Sequence, residues 1–216
     1  MPRRYNSKET IELILSASSK LFVEKGFDKT SMQEIVDESG VSKGSIFHHF
    51  NSKEEILTAV MVDQAKAYEQ VIRKWLNEIE GKTAKEKLIV LLDRMWEETD
   101  AGAIALDMQV LKSPQVILSA MQENLKILAP IYAQVFREGI NDGSIVTDYP
   151  DEFAQVFTLL MDFWCESYIF ECDISGLRNR LAFFQQMMRG LGADVITDKH
   201  ISRFVKLFKS QNTGGM

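Results

Sequence analysis

The stretch SGVSKGSIFHHFNSKEE, Ser39 to Glu55, decides how this chain folds. Gly40 interrupts one helical pattern, and Ser42 stands where a side-chain oxygen can take up an amide of the next first turn. Ile46, Phe47 and Phe50 give that short helix its apolar side. Ser52 and Glu55 repeat the signal as a capping box, in which the serine accepts from a first-turn amide while the glutamate reaches back. His48 and His49 lie between the two signals. Neighbouring helical positions point about 100° apart, so this pair is badly placed to share a metal. His200 is the one other histidine, and no metal site is expected.

Upstream, Asn6 with Glu9 and Ser31 with Glu34 form two more such boxes, and Thr83 with Glu86 a fourth downstream. Ile11, Ile14, Leu15, Ser18, Leu21 and Phe22 follow a helical period that Gly26 ends. Met32, Ile35 and Val36 face inward on a second helix from Ser31 to Ser39. Helices of about 20, 9 and 8 residues, the last two joined by Gly40-Val41, have helix-turn-helix proportions. In that arrangement the second helix of the pair enters the major groove with its N-terminal residues against the DNA. Here those residues are Ser42, Lys43, Gly44 and Ser45. Gly44 costs about 1 kcal/mol against alanine inside a helix, but its missing side chain lets the backbone approach a phosphate or a base edge.

The segment GFDKTSMQEIVDESGVSKGSIFHHFNSKEEIL, Gly26 to Leu57, resembles the DNA-binding region of the tetracycline-repressor (TetR) family. The resemblance covers about 50 residues; the rest is alike only in being helical. It implies that Thr30 and Ser31 begin the helix crossing the DNA backbone, that Gln33, Ser42, Lys43 and Ser45 face the groove, and that Phe47, His48 and Lys53 lie at the phosphate edge. Val36 and Ser39 stand where the family has alanine, and Phe47 where it has tyrosine, so a phenolic hydroxyl for a phosphate is missing. His49 reads as a packing residue beside the small core. Arg3, Arg4 and Lys8 could form an arm along the minor groove or backbone.

A long helix from Ser52 to Ile79 follows, ended by Gly81. Further helices are expected at about 83–99, 104–112, 114–141, 149–172, 175–191 and 197–210, with a kink or break at Pro130. The fold class is therefore all-α: a three-helix helix-turn-helix domain, residues 1–51, joined by a long helix to a helical effector-binding and dimerisation bundle within 52–216. The segment Asp151 to Cys172 has a polar stripe of Asp151, Gln155, Thr158, Asp162 and Glu166, and more apolar surface than one core needs. Phe157, Met161 and Tyr168, with Phe184 and Met188 of the next helix, are the dimer candidates. The resemblance implies that these last bundle helices pair across a two-fold axis, as suits a palindromic operator.

Met95, Trp96, Met108, Met121, Tyr132, Asp162, Phe163 and Trp164 are candidate pocket linings, adaptable or aromatic, for an unknown small-molecule effector. Asp107, Asp162 and Glu166 could face a cation, although a solvated stripe or a dimer-edge pair explains them better. Cys165 and Cys172 read as small buried hydrophobes. The last helix places Lys199, Arg203 and Lys206 opposite Ile201, Phe204, Val205 and Phe208; docking onto the bundle suits its length better than a membrane surface.

Composition sets the outer limits. Across 216 residues, 45% are hydrophobic, 26% are charged and the net charge is −6, which fits a soluble globular chain. Residues 1–55 carry eight Lys/Arg and nine Asp/Glu, so a DNA face there must turn its acids away. No apolar run of ~18 residues spans a membrane, no secretory signal is evident, and a reducing cytoplasm is the expected location. No nucleophile elbow, phosphate loop or metal-spaced cluster points to an enzyme, and no cofactor is expected. The expected function is a dimeric repressor on double-stranded DNA, released by a small effector. The alternative is a DNA-bound adaptor that recruits a protein partner.

Overall fold

Helix α1 (Ser7–Lys25) begins where Asn6 accepts the amide of Glu9 at 2.9 Å and donates its own amide to the Glu9 carboxylate at 3.1 Å. Ser31 and Glu34 make the same exchange, at 3.2 and 2.9 Å, to open α2 (Met32–Ser39). Gly40 ends α2 in the left-handed region at φ 65°, a conformation that costs glycine no Cβ clash. Val41 is buried, and Ser42 then accepts the amide of Ser45 at 3.2 Å to start α3 (Lys43–His49). Helix α4 (Lys53–Glu78) departs slightly from expectation at its cap. The amide of Glu55 donates to Ser52 Oγ at 3.2 Å, but the Glu55 carboxylate reaches past Ser52 to the backbone amide of Asn51 at 2.7 Å.

The computed structural model describes residues 6–100, 113–165 and 169–213. These divide into two compact units, one of residues up to 66 with 113–123, the other of the remainder. In the first, Ile14, Leu21, Phe22, Phe27, Ile35, Val41, Ile46, Ile56 and Leu57 are buried together, and the Phe22 and Phe27 rings meet edge to face at 5.3 Å. Ion pairs Lys20–Glu38 and Lys25–Glu34 join α1 to α2 on the surface.

The second unit contains α5 (Ala84–Asp100), α7 (Ala129–Asp142), α8 (Pro150–Leu159), α9 (Ile174–Gly190) and α10 (Asp198–Thr213), while α6 (Pro114–Ile127) contributes to both units. The stretch expected over 114–141, with a kink or break at Pro130, is two helices. Pro130, in the first turn of α7, has no amide to bond back into α6, so the helix restarts at Leu128. The helix expected over 149–172 is also shorter. After α8 a single π-helical turn, Leu160–Trp164, closes with the amide of Cys165 on the Leu160 carbonyl at 2.9 Å. This extra residue per turn re-phases the following side chains, which the 3.6-residue period could not foresee. The helix expected at 104–112 lies outside the described residues.

Phe136 stacks on Phe153 at 4.8 Å, and Phe157 meets Tyr132 at 5.0 Å and Phe184 at 5.9 Å. Helix α10 docks through buried His200, Ile201 and Val205, while Lys199 and Arg203 pair with Asp93 and Glu97 of α5, each at 3.0 Å. Two of its three basic side chains are thus paired with α5, while Lys206 is exposed. Between α7 and α8 the amide of Val146 donates to the Gly192 carbonyl at 3.0 Å. Gly192 has φ 90°, and a Cβ there would lie 1.8 Å from the Val146 carbonyl oxygen. Among the described residues there is no strand, and no helix is long and apolar enough to cross a membrane.

Candidate nucleic-acid interface

The front of α3 is open. Ser42, Lys43 and Gly44 are exposed, Ser45 is half-buried, and the buried Ile46 holds the opposite side of the helix. A Cβ at Gly44 would meet no protein atom within 4 Å, so nothing in the fold asks for glycine there. Glycine weakens a helix by about 1 kcal/mol against alanine, and no close contact at this position offsets that. Lys43 Nζ stands 5.9 Å from the Phe47 ring centroid, and Phe47 is 42% exposed. His48 is exposed and His49 half-buried, their rings edge to face at 5.1 Å. Gln33 is exposed on α2, with its amide donating to Asp37 at 2.9 Å.

Two residues expected at the DNA are used inside the domain. Thr30 precedes α2 and is only 2% exposed; its hydroxyl donates to the Gly26 carbonyl at 2.9 Å, so it closes the α1–α2 turn. Ser31, its exposed neighbour, is the residue that caps α2. Lys53 extends its ammonium to the carbonyls of Phe27 at 2.7 Å, Thr30 at 2.8 Å and Asp28 at 3.5 Å, with the Phe27 ring centroid 4.2 Å away. No pattern of residue types announces either contact, because both partners are backbone carbonyls. Lys8 is exposed beside Glu12, while Arg3 and Arg4 lie outside the described residues.

Of the expected pocket linings, the second unit brings Met95, Tyr132 and Asp162 into one neighbourhood. Tyr132 is buried and its hydroxyl lies 3.9 Å from Met95 Sδ. Asp162, on the π turn, accepts from Asn124 Nδ2 at 3.0 Å. Enclosure raises its carboxyl to about 7, partly opposed by that hydrogen bond. Burial likewise raises the phenols of Tyr68 and Tyr132, and each feels the charge of Asp162. Asp162 is half-buried and bonded to Asn124, and Thr158 of the same expected polar stripe is fully buried and donates to the Ala154 carbonyl. Tyr68 and Asn124 were missed because each sits in a helical pattern that reads as core or surface.

The remaining pocket residues go elsewhere. Met121 lies in the first unit, Phe163 is buried, and Trp164 packs on α9 with Phe183 at 5.9 Å and the Arg180 guanidinium at 6.0 Å. Met108, Asp107, Glu166, Tyr168 and the Trp96 side chain lie outside the described residues. Among the dimer candidates, Phe157, Phe184 and Met188 are 0% exposed and Met161 is buried with them. They are the unit's own core, which corrects their reading as a face. The apolar residues left outward on α8 and α9 are Val156, Ile174 and Phe183. Of the two cysteines expected to be buried, Cys165 is buried and Cys172 half-buried. No group of three metal-ligating side chains occurs among the described residues.

Residues 14–60 match the family described as bacterial regulatory proteins, tetR family. The chain is 27% identical over 157 residues to the transcriptional repressor KstR2 of Rhodococcus jostii, spanning 69% of this chain and 73% of that protein. It is 26% identical over 189 residues to the transcriptional regulator UidR of Escherichia coli, spanning 85% and 91%. In fold it is similar to RolR crystallised with resorcinol, with a TM-score of 0.65 and 15% identity over 92% of this chain and 94% of that one. The reduced form of NemR from E. coli gives 0.58 and 23%, over 82% and 96%. With its helix-turn-helix exposed as described and these likenesses along its length, the chain carries a tetR-family DNA-binding region at residues 14–60 and is a DNA-binding transcriptional regulator, not an enzyme.

Proposed function

We propose that the protein is a homodimeric repressor that reads a palindromic operator with α3 and leaves it when a small molecule binds in the helical unit. The observation that carries the DNA reading is the open, capped N-terminus of α3, where Ser42, Lys43 and Gly44 are exposed and Ser45 is half-buried. In this reading Gln33 and Ser31 of α2, and Phe47 and His48 of α3, border the groove and contact phosphates. A two-fold pair of such helices suits half-sites one helical turn apart.

Support for an effector comes from Asp162, Asn124, Tyr68 and Tyr132. A carboxyl enclosed beside two phenols and held near neutrality is costly to ionise alone, so a ligand bringing a positive charge would relieve that cost. RolR, similar in fold, is a protein crystallised with a small phenol. Support for a second copy comes from the 58% exposed Phe183 of α9, which packs on half-buried Trp164 of the π turn beside Arg180.

Selection from random duplexes with the purified protein, with its mass measured in solution, tests the whole reading. A palindrome enriched by a dimer, and released by a small molecule, supports it. A DNA-bound protein that no small molecule releases, and that holds a protein partner in fixed ratio, would favour the adaptor instead.

A further inference from the structure

The Lys53 ammonium is enclosed by its own domain. An ammonium has three donors. Two of the contacts here, to Phe27 and Thr30, are short, and the third, to Asp28, stands at the limit of a hydrogen bond. The Phe27 ring lies beneath, and that ring is 4% exposed and fixed against Phe22. A phosphate could recruit this ammonium only by drawing it away from these carbonyls.

The carbonyls it holds are those of the turn that sets the direction of α2. Thr30 ties the same turn to Gly26, and Ser31 immediately caps α2, which leads through Gly40 to α3. Lys53 is itself the first residue of α4. The start of α4 and the start of α2 are therefore joined by one side chain, across a sequence separation of more than twenty residues. Lys20–Glu38 and Lys25–Glu34 restrain α2 from the α1 side, but both are exposed pairs, and such pairs contribute little. The part-buried, charge-assisted bonds of Lys53 are the stronger restraint.

We propose that Lys53 is a positioning residue for DNA reading and not a phosphate contact: it pins the α1–α2 turn to α4 and so fixes the angle at which α2 presents α3. A rotation of α4 would be handed to α2 through this pin. The inference rests on the DNA-binding function of the family.

The test uses Lys53→Met in the full-length protein, with binding to a selected duplex measured across salt concentrations and scaled to the folded fraction. Amide hydrogen exchange is followed in parallel without DNA. The expected result is affinity lower by about tenfold at every salt concentration, from the loss of charged hydrogen bonds that hold the geometry. The salt slope stays unchanged, and exchange over residues 28–35 is faster. A slope reduced by about 0.9, the mark of one lost phosphate contact, with exchange unchanged, would overturn the proposal. So would an unchanged affinity of the folded fraction. Exchange needs no operator, so failure to find DNA leaves the pin itself testable: unaltered exchange over 28–35 disproves it. Should Lys53→Met fold poorly, Lys53→Arg keeps the charge but offers a planar fork to a carbonyl cup shaped for an ammonium. It loses affinity if Lys53 positions, and retains it if Lys53 contacts phosphate.

Discussion

At Gly44 the demands of folding and of DNA binding can be told apart by one substitution. Alanine there meets no atom of the fold and should stabilise α3 by up to about 1 kcal/mol. If the backbone must approach DNA closely, the same change weakens operator binding. A higher melting temperature together with weaker binding is the expected outcome for Gly44→Ala; unchanged binding would mean that the groove leaves room at this position. Asp162 offers a second test at this scale. Its folded carboxyl titrates at about 7 against 3.8 for the free group, so its contribution to stability is full below pH 3.8 and is lost as pH rises through 7. Asp162→Asn should therefore gain on the native protein across that interval and hold a constant advantage above it, as read by thermal melts at a series of pH values. Parallel curves would place the native carboxyl in water. Among the residues named for DNA, the outward placement of Ser42 and Lys43 was legible from the cap that starts α3. The inward bonds of Thr30 and Lys53 were illegible, because their partners are carbonyls and carry no residue type.

Among the elements, those opened by capping boxes were the easiest to read, because one local exchange of hydrogen bonds sets each start. Glu34 shows how much charge such an exchange can hold. The hydrogen bond from Lys25, then those from the amide and hydroxyl of Ser31, lower its carboxyl from 4.5 to about 2. The stabilisation is complete above pH 4.5 and disappears as pH falls towards 2. Acid melts of the native protein and Glu34→Gln should converge across that window; curves that stay apart at pH 2 would remove Glu34 from the acid response. The π turn after α8 escaped the sequence because one inserted residue shifts every later side chain, while periodicity assumes a constant turn. The Pro130 restart was half-read: proline announces a break but leaves open whether the helix bends or begins again.

For the molecule as a whole, the amount of apolar sequence was a poor guide to what faces a second copy. Phe157, Met161, Phe184 and Met188 follow the helical period that any core-facing stripe follows, and the unit encloses all four. What a partner could cover is Phe183 with Trp164 and Arg180, a set identifiable only once α8 and α9 are packed. Phe183→Glu should shift a dimer towards monomer in sedimentation without lowering the melting temperature of the single chain, since the ring is exposed. A dimer unaffected by this change would place the two-fold axis elsewhere. The all-α class itself was plain, since helix signals recur through the chain and nothing alternates with a period of two.

The Val146–Gly192 contact has a consequence for how the gene can vary. With the Val146 oxygen where a first side-chain carbon would have to sit, position 192 is closed to the other nineteen amino acids unless the strap between α7 and α8 lifts away. A library randomised at this codon and sorted for folded protein should return glycine almost alone, whereas the same library at codon 44 should return many residues that fold and few that regulate. The two glycines would then mark, in one experiment, which constraints the chain imposes on itself and which its target imposes on it.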